Sequence, residues 1–374
     1  MKSRPALLIV DDELSNLQKL QRTFISDFVI RQAQSGDEAL TLLQNAPVDV
    51  IITDQKMAGM TGVELLSASL EWCPDARRII LTGYTEVDYL MDAINQGQVH
   101  RYITKPWQPF PLKQTVLQDL EHFQLKRQNQ VLEEQFRIAK EVQRHLFPRV
   151  LPRFEKLEFC GFCKPAWQVG GDFFDFLRLS ETEFCVAVGD ISGKGISAAL
   201  LMASLQALLR SHAPYHRKEI SRLLGDVNRL LCAMTDDRRF ATCFYAVFDA
   251  EVGSITYGNA GHNPPFLMRA AGSDAIVSLP ASGLMLGVFE SSTYDQVQLP
   301  FEPGDTLIIY TDGIVEAQNA RSEEFGEERL RQALRDHIEL PPRELKQRII
   351  TLLEEIVAGH EQSDDLTLVV VRRV

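Results

Sequence analysis

The sequence is poor in cysteine, has no long apolar run and carries fewer basic than acidic residues. Six cysteines among 374 residues are too few for a disulfide framework, so we expect thiols in a reducing compartment. No apolar stretch approaches the roughly 20 residues that span a bilayer. The first residues also turn acidic where a signal peptide needs an apolar core. These features predict a cytoplasmic protein with no membrane partner.

The shortage of positive charge argues against a nucleic-acid-binding protein. The chain has 39 Lys and Arg against 51 Asp and Glu, a net charge of -12. Proteins that bind duplexes take most of their affinity from basic side chains on phosphates. We therefore expect protein partners and no nucleic acid. Cys160 and Cys163 form a lone CxxC pair. Two strand thiols explain it better than zinc, because no second pair stands at zinc spacing.

The chain divides into three predicted parts, residues 1–122, 123–150 and 151–374. In the first part, apolar runs such as ALLIV and VDVIIT alternate with amphipathic stretches such as GDEALTLLQ and VDYLMDAI. Strict alternation of strand and helix predicts a doubly wound (βα)5 domain with a parallel sheet. In the third part, β-runs such as ATCFYAVFDA and LTLVVVRRV accompany helical blocks near 196–234 and 326–358. This pattern predicts a layered α/β domain.

The middle part is predicted to be one long helix. The segment from about 111 to 147 contains no glycine, and Pro148 and Pro152 follow it. Four apolar residues recur every seven positions: Leu125, Leu132, Ala139 and Leu146. This spacing is typical of a coiled coil, although Gln128 and Gln135 interrupt the seam. We favour a homodimer through this helix over a helix that lies on its own domains.

Five polar residues stand at the carboxyl ends of the predicted parallel strands. They are Asp11 and Asp12 after the first strand, Asp54 after the third, Thr82 at the end of the fourth and Lys105 at the end of the fifth. Parallel sheets place their sites at this edge. Three carboxylates suit a hard cation such as Mg²⁺, and a hydroxyl with an ammonium suits a phosphoryl group. Each residue alone is better explained as a turn former, but five at matching edges favour a site.

Residues 5 to about 122, with these five positions and the KPW sequence after the last strand, resemble the receiver domain of bacterial response regulators. The resemblance implies that Asp54 accepts a phosphoryl group from a sensor histidine kinase. It also implies that Asp11 and Asp12 bind Mg²⁺ together with Asp54. Phosphoryl contacts and the aromatic switch are implied for three further residues: Thr82, Lys105 and Tyr102.

Four aspartates in the last part stand beside strongly apolar runs. They are Asp172 in VGGDFFDF, Asp190 in VGDISGKG, Asp312 in YTDGIVEA and Asp364 in SDDLTLVVV. Carboxylates projected into one site repel unless cations lie among them, and the adjoining glycines lack the Cβ that would keep a phosphate and its metals away. Each aspartate alone is explained as a turn residue. Together, with SGKG opening a helix, they favour a two-metal site for phosphoryl hydrolysis.

Residues from about 140 to 374 resemble the metal-dependent serine/threonine protein phosphatases of the bacterial SpoIIE/RsbU type. The resemblance rests on IAKEVQRHLFP and NAGHNPP as well as on the four aspartate motifs, and we expect an α-β-β-α sandwich. It implies that Asp190 bridges two Mn²⁺ or Mg²⁺ ions. One metal site is then completed by Asp172 and the Ile191 carbonyl, and the other by Asp312 and Asp364.

The residues that hold the substrate phosphate are left open by the sequence. Eukaryotic members of this family use an arginine for which we find no counterpart, so Lys194, backbone amides and metal alone are all candidates. His262 in AGHNPP is a candidate for contact with the leaving group. A histidine among turn residues is more often structural, and we favour that interpretation.

The expected function is that of a response regulator that removes phosphate from phosphoserine or phosphothreonine on a partner protein. The resemblance implies that the partner is a phosphorylated anti-sigma-factor antagonist of the STAS type. The alternative is a non-catalytic, receiver-linked scaffold that binds its partner without turning it over. GGDFF is similar to the GGDEF motif of diguanylate cyclases, but Phe173 stands where those enzymes have an acidic residue. We therefore reject the cyclase interpretation.

Overall fold

The computed structural model describes residues 4–83, 99–148, 154–235, 239–270 and 276–374. The chain forms two compact units, Met1–Glu133 and Glu134–Val374. The strands are β1 Ala6–Val10, β2 Val29–Ala33, β3 Val50–Asp54, β4 Arg77–Thr82, β5 Arg101–Thr104, β6 Leu157–Lys164, β7 Phe173–Arg178, β8 Glu183–Ile191, β9 Ala241–Asp249, β10 Ser254–Ala260, β11 Phe266–Met268, β12 Ile276–Ser278, β13 Val297–Pro300, β14 Thr306–Tyr310 and β15 Leu366–Arg373.

Helices of very different length connect these strands. They are α1 Leu14–Phe24, α2 Gly36–Asn45, α3 Gly62–Ala68, α4 Pro109–Arg144, α5 Ile196–His212, α6 Ile220–Met234, α7 Asp312–Val315, α8 Glu327–His337 and α9 Pro342–Val357. Across the described ranges, none of them combines the length and the apolar character that a membrane span requires.

The first unit contains a five-stranded parallel sheet in the order β2-β1-β3-β4-β5. Alternate residues of each strand face opposite sides, so Leu8 and Ile51 enter one core with α2 and α3, while Ile9 and Ile52 enter another with α1. Apolar cover on both faces confirms the predicted doubly wound fold. The predicted amphipathic stretch VDYLMDAI lies outside the described residues.

Helix α4, called the linker helix below, begins at Pro109 and ends at Arg144, three residues short of the predicted end. It stops because Leu146 and Phe147 leave the helix and pack into the core of the second unit. The side chain of Gln206 donates to the Leu146 carbonyl at 3.0 Å and secures this turn. The prediction that Leu146 extends a dimer stripe is therefore wrong. Leu125 and Leu132, in the middle of the helix, are about half exposed.

The second unit contains two antiparallel five-stranded sheets, in the orders β13-β10-β9-β8-β7 and β12-β11-β14-β15-β6. Side chains of both sheets, including Phe184 and Val369, form the core between them. Helices α5 and α6 cover the outer face of the first sheet, and α8 and α9 cover that of the second. Because each sheet is covered on both faces, β8 and β15 are apolar along most of their length. The predicted α-β-β-α sandwich is confirmed.

Candidate active site and phosphoacceptor site

The carboxyl edge of the parallel sheet brings three predicted carboxylates together. Ligand oxygens of Asp11, Asp12 and Asp54 all lie within 4.8 Å of one another. The Lys105 ammonium lies 2.8 Å from Asp54 Oδ1 and 3.5 Å from Asp11 Oδ2. Asn16 Nδ2 donates to both carboxylate oxygens of the buried Asp11 at 3.1 Å. The three carboxylates thus form a small acidic pocket, with the Lys105 ammonium at its side.

Burial and the neighbouring cation act in opposite directions on Asp54. Burial raises the pKa of Asp54 above its ordinary value, and the hydrogen bond and the positive charge of Lys105 offset this only in part. Burial alone would lower the pKa of Lys105, but its bond to Asp54 and the charge of Asp11 raise it overall. Thr82 is buried at the end of β4, and Tyr102 on β5 is 40% exposed. Thr82 thus ends the strand next to that of Asp54, as the sequence predicts, whereas Tyr102 is the second residue of β5, one strand further along the sheet.

The four predicted aspartates of the second unit come from both sheets. Asp172 precedes β7 and Asp190 is the second-last residue of β8, on the first sheet. On the second sheet, Asp312 begins the short helix after β14, and Asp364 precedes β15. Asp172 is buried, while the other three are partly exposed. The two sheets therefore contribute two acids each to one end of the sandwich.

The charges of these aspartates act on one another. Burial, followed by the charges of Asp190 and Asp365, raises the pKa of Asp172. Burial and the charge of Asp312, with smaller effects of Asp364 and Asp365, raise the pKa of Asp190 to about 7. Burial and the charge of Asp364 raise the pKa of Asp312. Within the described ranges, no three of these acids bring their oxygens within 4.8 Å of one another as the receiver acids do.

Thr311 connects the two sheets beneath this cluster, a role that the sequence analysis missed. Its hydroxyl donates to Asp172 Oδ2 at 2.8 Å and accepts from the backbone N–H of Thr367 at 3.1 Å. Thr311 is fully buried. Its hydroxyl therefore fixes the orientation of the Asp172 carboxylate. Asp172 is the buried member of the four aspartates. The available signal was its position directly before Asp312 in YTDG.

Asp365, the second aspartate of SDD, was also missed. Its Oδ1 accepts from the backbone N–H of Ala166 at 2.7 Å. Its Oδ2 accepts from the backbone N–H groups of Gly171 at 2.7 Å and Asp172 at 3.2 Å. Asp365 is 7% exposed, whereas the side chain of its neighbour Asp364 is 41% exposed. The adjacent acids thus differ in role: Asp365 holds the loop before β7, and Asp364 faces the cluster.

The glycines beside the aspartates make room for protein atoms, which corrects the predicted role of admitting phosphate. A Cβ on Gly313 would lie 2.0 Å from the Asp365 carbonyl oxygen, and one on Gly171 would lie 2.9 Å from the Ile191 carbonyl oxygen. A Cβ on Gly189 would lie 2.6 Å from the Phe173 ring. Close packing of the loops, rather than access of a ligand, therefore requires glycine here. The same contact places the Ile191 carbonyl beside the residue that precedes Asp172.

Lys194 and His262 occupy different environments. The Lys194 ammonium lies 3.0 Å from Asp364 Oδ2 and also donates to the Ser363 carbonyl. His262 is 2% exposed, with its Nδ1 at 2.8 Å from Thr242 Oγ1, and Thr242 pairs with Asp190 across β8 and β9. Burial lowers the pKa of His262 to about 4. A neutral, buried imidazole favours the structural interpretation over contact with a leaving group.

Comparison with known proteins assigns a family to each of the two units. The family described as Stage II sporulation protein E (SpoIIE) matches residues 180–374, and the response regulator receiver domain family matches residues 7–117. Phosphoserine phosphatase RsbU of Bacillus subtilis is 31% identical over 255 residues, 68% of this chain and 74% of that protein. The hydrogenase transcriptional regulatory protein HoxA of Cupriavidus necator is 41% identical over 115 residues, 31% of this chain and 24% of that protein.

A solved structure shows the same fold in the second unit. The SiaA-PP2C domain of Pseudomonas aeruginosa superposes with a TM-score of 0.59 at 20% identity, covering 66% of this chain and 98% of that one. SpoIIE and PP2C phosphatases are metal-dependent enzymes. The chain therefore belongs to the SpoIIE family of PP2C-type protein serine/threonine phosphatases, and its N-terminal part is a response regulator receiver domain.

Proposed function

We propose that this protein removes phosphate from phosphoserine or phosphothreonine on a partner protein, and that the phosphorylation state of Asp54 controls the rate. One observation carries the hydrolytic part of the proposal. Two sheets direct four aspartates toward one another at the end of the sandwich, where burial and their mutual charge raise the pKa values of Asp172, Asp190 and Asp312. Such a set is unfavourable unless cations neutralise it.

The donor set fits two Mn²⁺ or Mg²⁺ ions. Carboxylate and carbonyl oxygens are hard ligands of the kind that both ions prefer, and four carboxylates with one carbonyl provide enough donors for two ions. In our assignment Asp190 serves both ions, Asp172 and the Ile191 carbonyl serve one, and Asp312 and Asp364 serve the other. When bound, the ions supply Lewis acidity toward the phosphoryl oxygens and lower the pKa of water. In the receiver, the cluster of three carboxylates fits one Mg²⁺.

Other side chains of the protein hold the proposed metal ligands in position. Thr311 fixes the Asp172 carboxylate, and Asp365 fixes the backbone that carries it. Lys194 neutralises Asp364 in the present structure. If Asp364 bound a metal ion instead, the Lys194 ammonium would be available for the substrate phosphate. Lys194 therefore remains our candidate for phosphate contact. For His262 we propose support of the strand pair behind Asp190.

The proposed partners follow from the two families. A receiver domain takes its phosphoryl group from a sensor histidine kinase, and the similarity to a phosphatase named for phosphoserine supports a serine-phosphorylated protein as substrate. We propose a STAS-type anti-sigma-factor antagonist as that substrate. We also propose a homodimer through the middle of the linker helix, where Leu125, Val131 and Leu132 are 49 to 55% exposed.

Hydrolysis of a serine-phosphorylated STAS protein tests the proposal directly. Wild type should release phosphate with added Mn²⁺ or Mg²⁺ and stop in excess chelator. Asp190→Asn should abolish release while the chain stays folded, and Asp336→Asn, at an exposed position of α8, is the matched control. Turnover by Asp190→Asn in chelator would refute the two-metal assignment. Binding without hydrolysis by wild type would support the scaffold alternative. Phosphoproteomics of a deletion strain would then identify the natural substrate.

A further inference from the structure

Gln143, in the last turn of the linker helix, is buried although its neighbours on the helix are exposed. It is 6% exposed, whereas Val142 is 58% exposed. Its side-chain amide makes two hydrogen bonds with one residue, Gly170. Nε2 donates to the Gly170 carbonyl at 2.7 Å, and Oε1 accepts from the Gly170 N–H at 3.1 Å. A reciprocal pair of this kind fixes both the position and the orientation of the backbone that it holds.

Gly170 lies between this amide and the carboxylate of Asp365. A Cβ on Gly170 would lie 2.2 Å from Asp365 Oδ2, so the backbone is pressed directly against that group. The same Oδ2 accepts from the N–H groups of Gly171 and Asp172. The backbone leading into Asp172 is therefore held on one side by Gln143 of the linker helix and on the other by Asp365, which directly precedes β15.

Other residues of the same helix face also meet this loop. Phe136 and Lys140, which precede Gln143 by seven and three residues, line a cleft with Trp167 of the loop and with Gly195 at the start of α5. Residues at these spacings share one face of a helix. The end of the linker helix thus contacts the segments that carry both Asp172 and Lys194. A rotation of the helix would act on these segments together.

We infer that Gln143 is a positioning residue of the active site, which links the orientation of the linker helix to that of Asp172 through Gly170. The inference rests on the proposed function and extends it, because it names the contact by which a change in the helix reaches the site. Gln143 does not touch the aspartate cluster itself, and it carries no charge. Its loss should therefore raise the Mn²⁺ requirement without changing which residues bind substrate.

The test compares Gln143→Met with Gln135→Met in the full chain. Methionine keeps the length and helix propensity of glutamine but loses both hydrogen bonds, and Gln135 is an exposed glutamine of the same helix. We expect Gln143→Met to raise the Mn²⁺ concentration for half-maximal hydrolysis by about tenfold, the lower end for supporting residues of metal sites. The KM for the phosphoprotein and the shape of the pH profile should not change. Gln143→Glu keeps the acceptor and loses the donor, so we expect an intermediate value.

Hydrogen exchange in metal-free protein provides a readout independent of activity. In Gln143→Met, the amides of loop residues 166–172 should exchange faster while those of β9 and β10 do not. Unchanged loop exchange, or faster exchange throughout the second unit, would overturn the inference because the contact would then be irrelevant or merely structural. An unchanged Mn²⁺ requirement would overturn it equally. If wild type itself shows no hydrolysis, the proposed function fails, and loop exchange still tests the role of Gln143.

Discussion

Asp364 and Asp365 are adjacent in sequence, but the structure predicts opposite effects for their replacement by asparagine. Asp365→Asn removes a buried carboxylate that accepts three backbone N–H groups. Asparagine offers one acceptor oxygen, so at least one of these donors loses its partner and faces an amide N–H. A hydrogen bond to a charged group contributes about 1.5–3 kcal/mol, and an unpaired buried donor costs about 1–3 kcal/mol. We expect the second unit to lose about 3 kcal/mol of unfolding free energy.

Asp364→Asn should leave the stability of the metal-free protein nearly unchanged. It removes a partly exposed ion pair with Lys194, worth about 0–1 kcal/mol. It also removes a negative charge that repels Asp190 and Asp312 and raises their pKa values. The lost attraction to Lys194 and the relieved repulsion among the aspartates therefore offset each other. As a proposed metal ligand, however, Asp364 should be needed for hydrolysis. We expect a loss of at least about 100-fold at fixed Mn²⁺, the upper end for supporting residues.

Calorimetry of the full chain in chelator, with hydrolysis assays in Mn²⁺, separates the two roles. For a domain of this size, 1 kcal/mol shifts the Tm by about 2–4 °C, so Asp365→Asn should lower the second unit's transition by roughly 6–12 °C. Asp364→Asn should shift it by less than about 4 °C. Equal destabilisation by the two variants would refute the assignment of separate roles. Full hydrolysis by Asp364→Asn would remove it from the proposed metal site.

Three further predictions address the acid cluster and the linker. The pKa of Asp190 is raised to about 7 in the folded state, whereas the unfolded chain releases this proton near pH 4. The metal-free protein should therefore lose stability as the pH rises from about 4 to 7. Thermal unfolding in chelator checks this, and an equal slope in Asp190→Asn would contradict it. Thr311→Val should raise the Mn²⁺ concentration for half-maximal hydrolysis about tenfold and Thr311→Ser much less, because only valine leaves Asp172 without its donor. Equal effects of the two variants would show that the Thr311 hydroxyl has no role in metal binding. One residue inserted between Gln128 and Asn129 turns the rest of the helix by about 100° and should abolish the response of hydrolysis to beryllofluoride. Seven inserted residues nearly restore the helix face and should preserve the response. Equal responses of the two variants would show that the helix is a passive tether.

Apolar periodicity was sufficient to predict the parallel-sheet domain, a layered α/β second domain and the acids at the strand ends, whereas the α-β-β-α order was expected from the family resemblance. Runs such as those of β3 and β15 are buried along most of their length, so the acids that flank them, Asp54 at the end of β3 and Asp364 before β15, lie where the strands end. Strand β2 has a weaker signal because its sequence VIRQA lies at the edge of the sheet and is mostly part-exposed. The helical block near 196–234 was located correctly, although it consists of two helices.

The parts that sequence could not predict depend on contacts between distant residues. The hydrogen bonds of Asp365 join residues 193 to 199 positions apart, and no local pattern reveals which member of an Asp-Asp pair faces the loop. Gln143 and Gly170 are 27 positions apart, and the polar Gln143 fits an exposed helix equally well. The seven-residue stripe was ambiguous for the same reason, because packing of Leu146 on its own domain produces the same spacing as a dimer.

The rate of phosphate release by the full chain, with and without beryllofluoride, is the measurement that tests our account most directly. Wild type and Asp54→Asn should be compared at the same Mn²⁺ concentration, because any direct effect of the ion on the phosphatase site appears in both. We predict that beryllofluoride changes the rate of wild type, with activation as the expected direction, and leaves Asp54→Asn unchanged. Identical rates for wild type with and without bound beryllofluoride would contradict control of the phosphatase by its receiver.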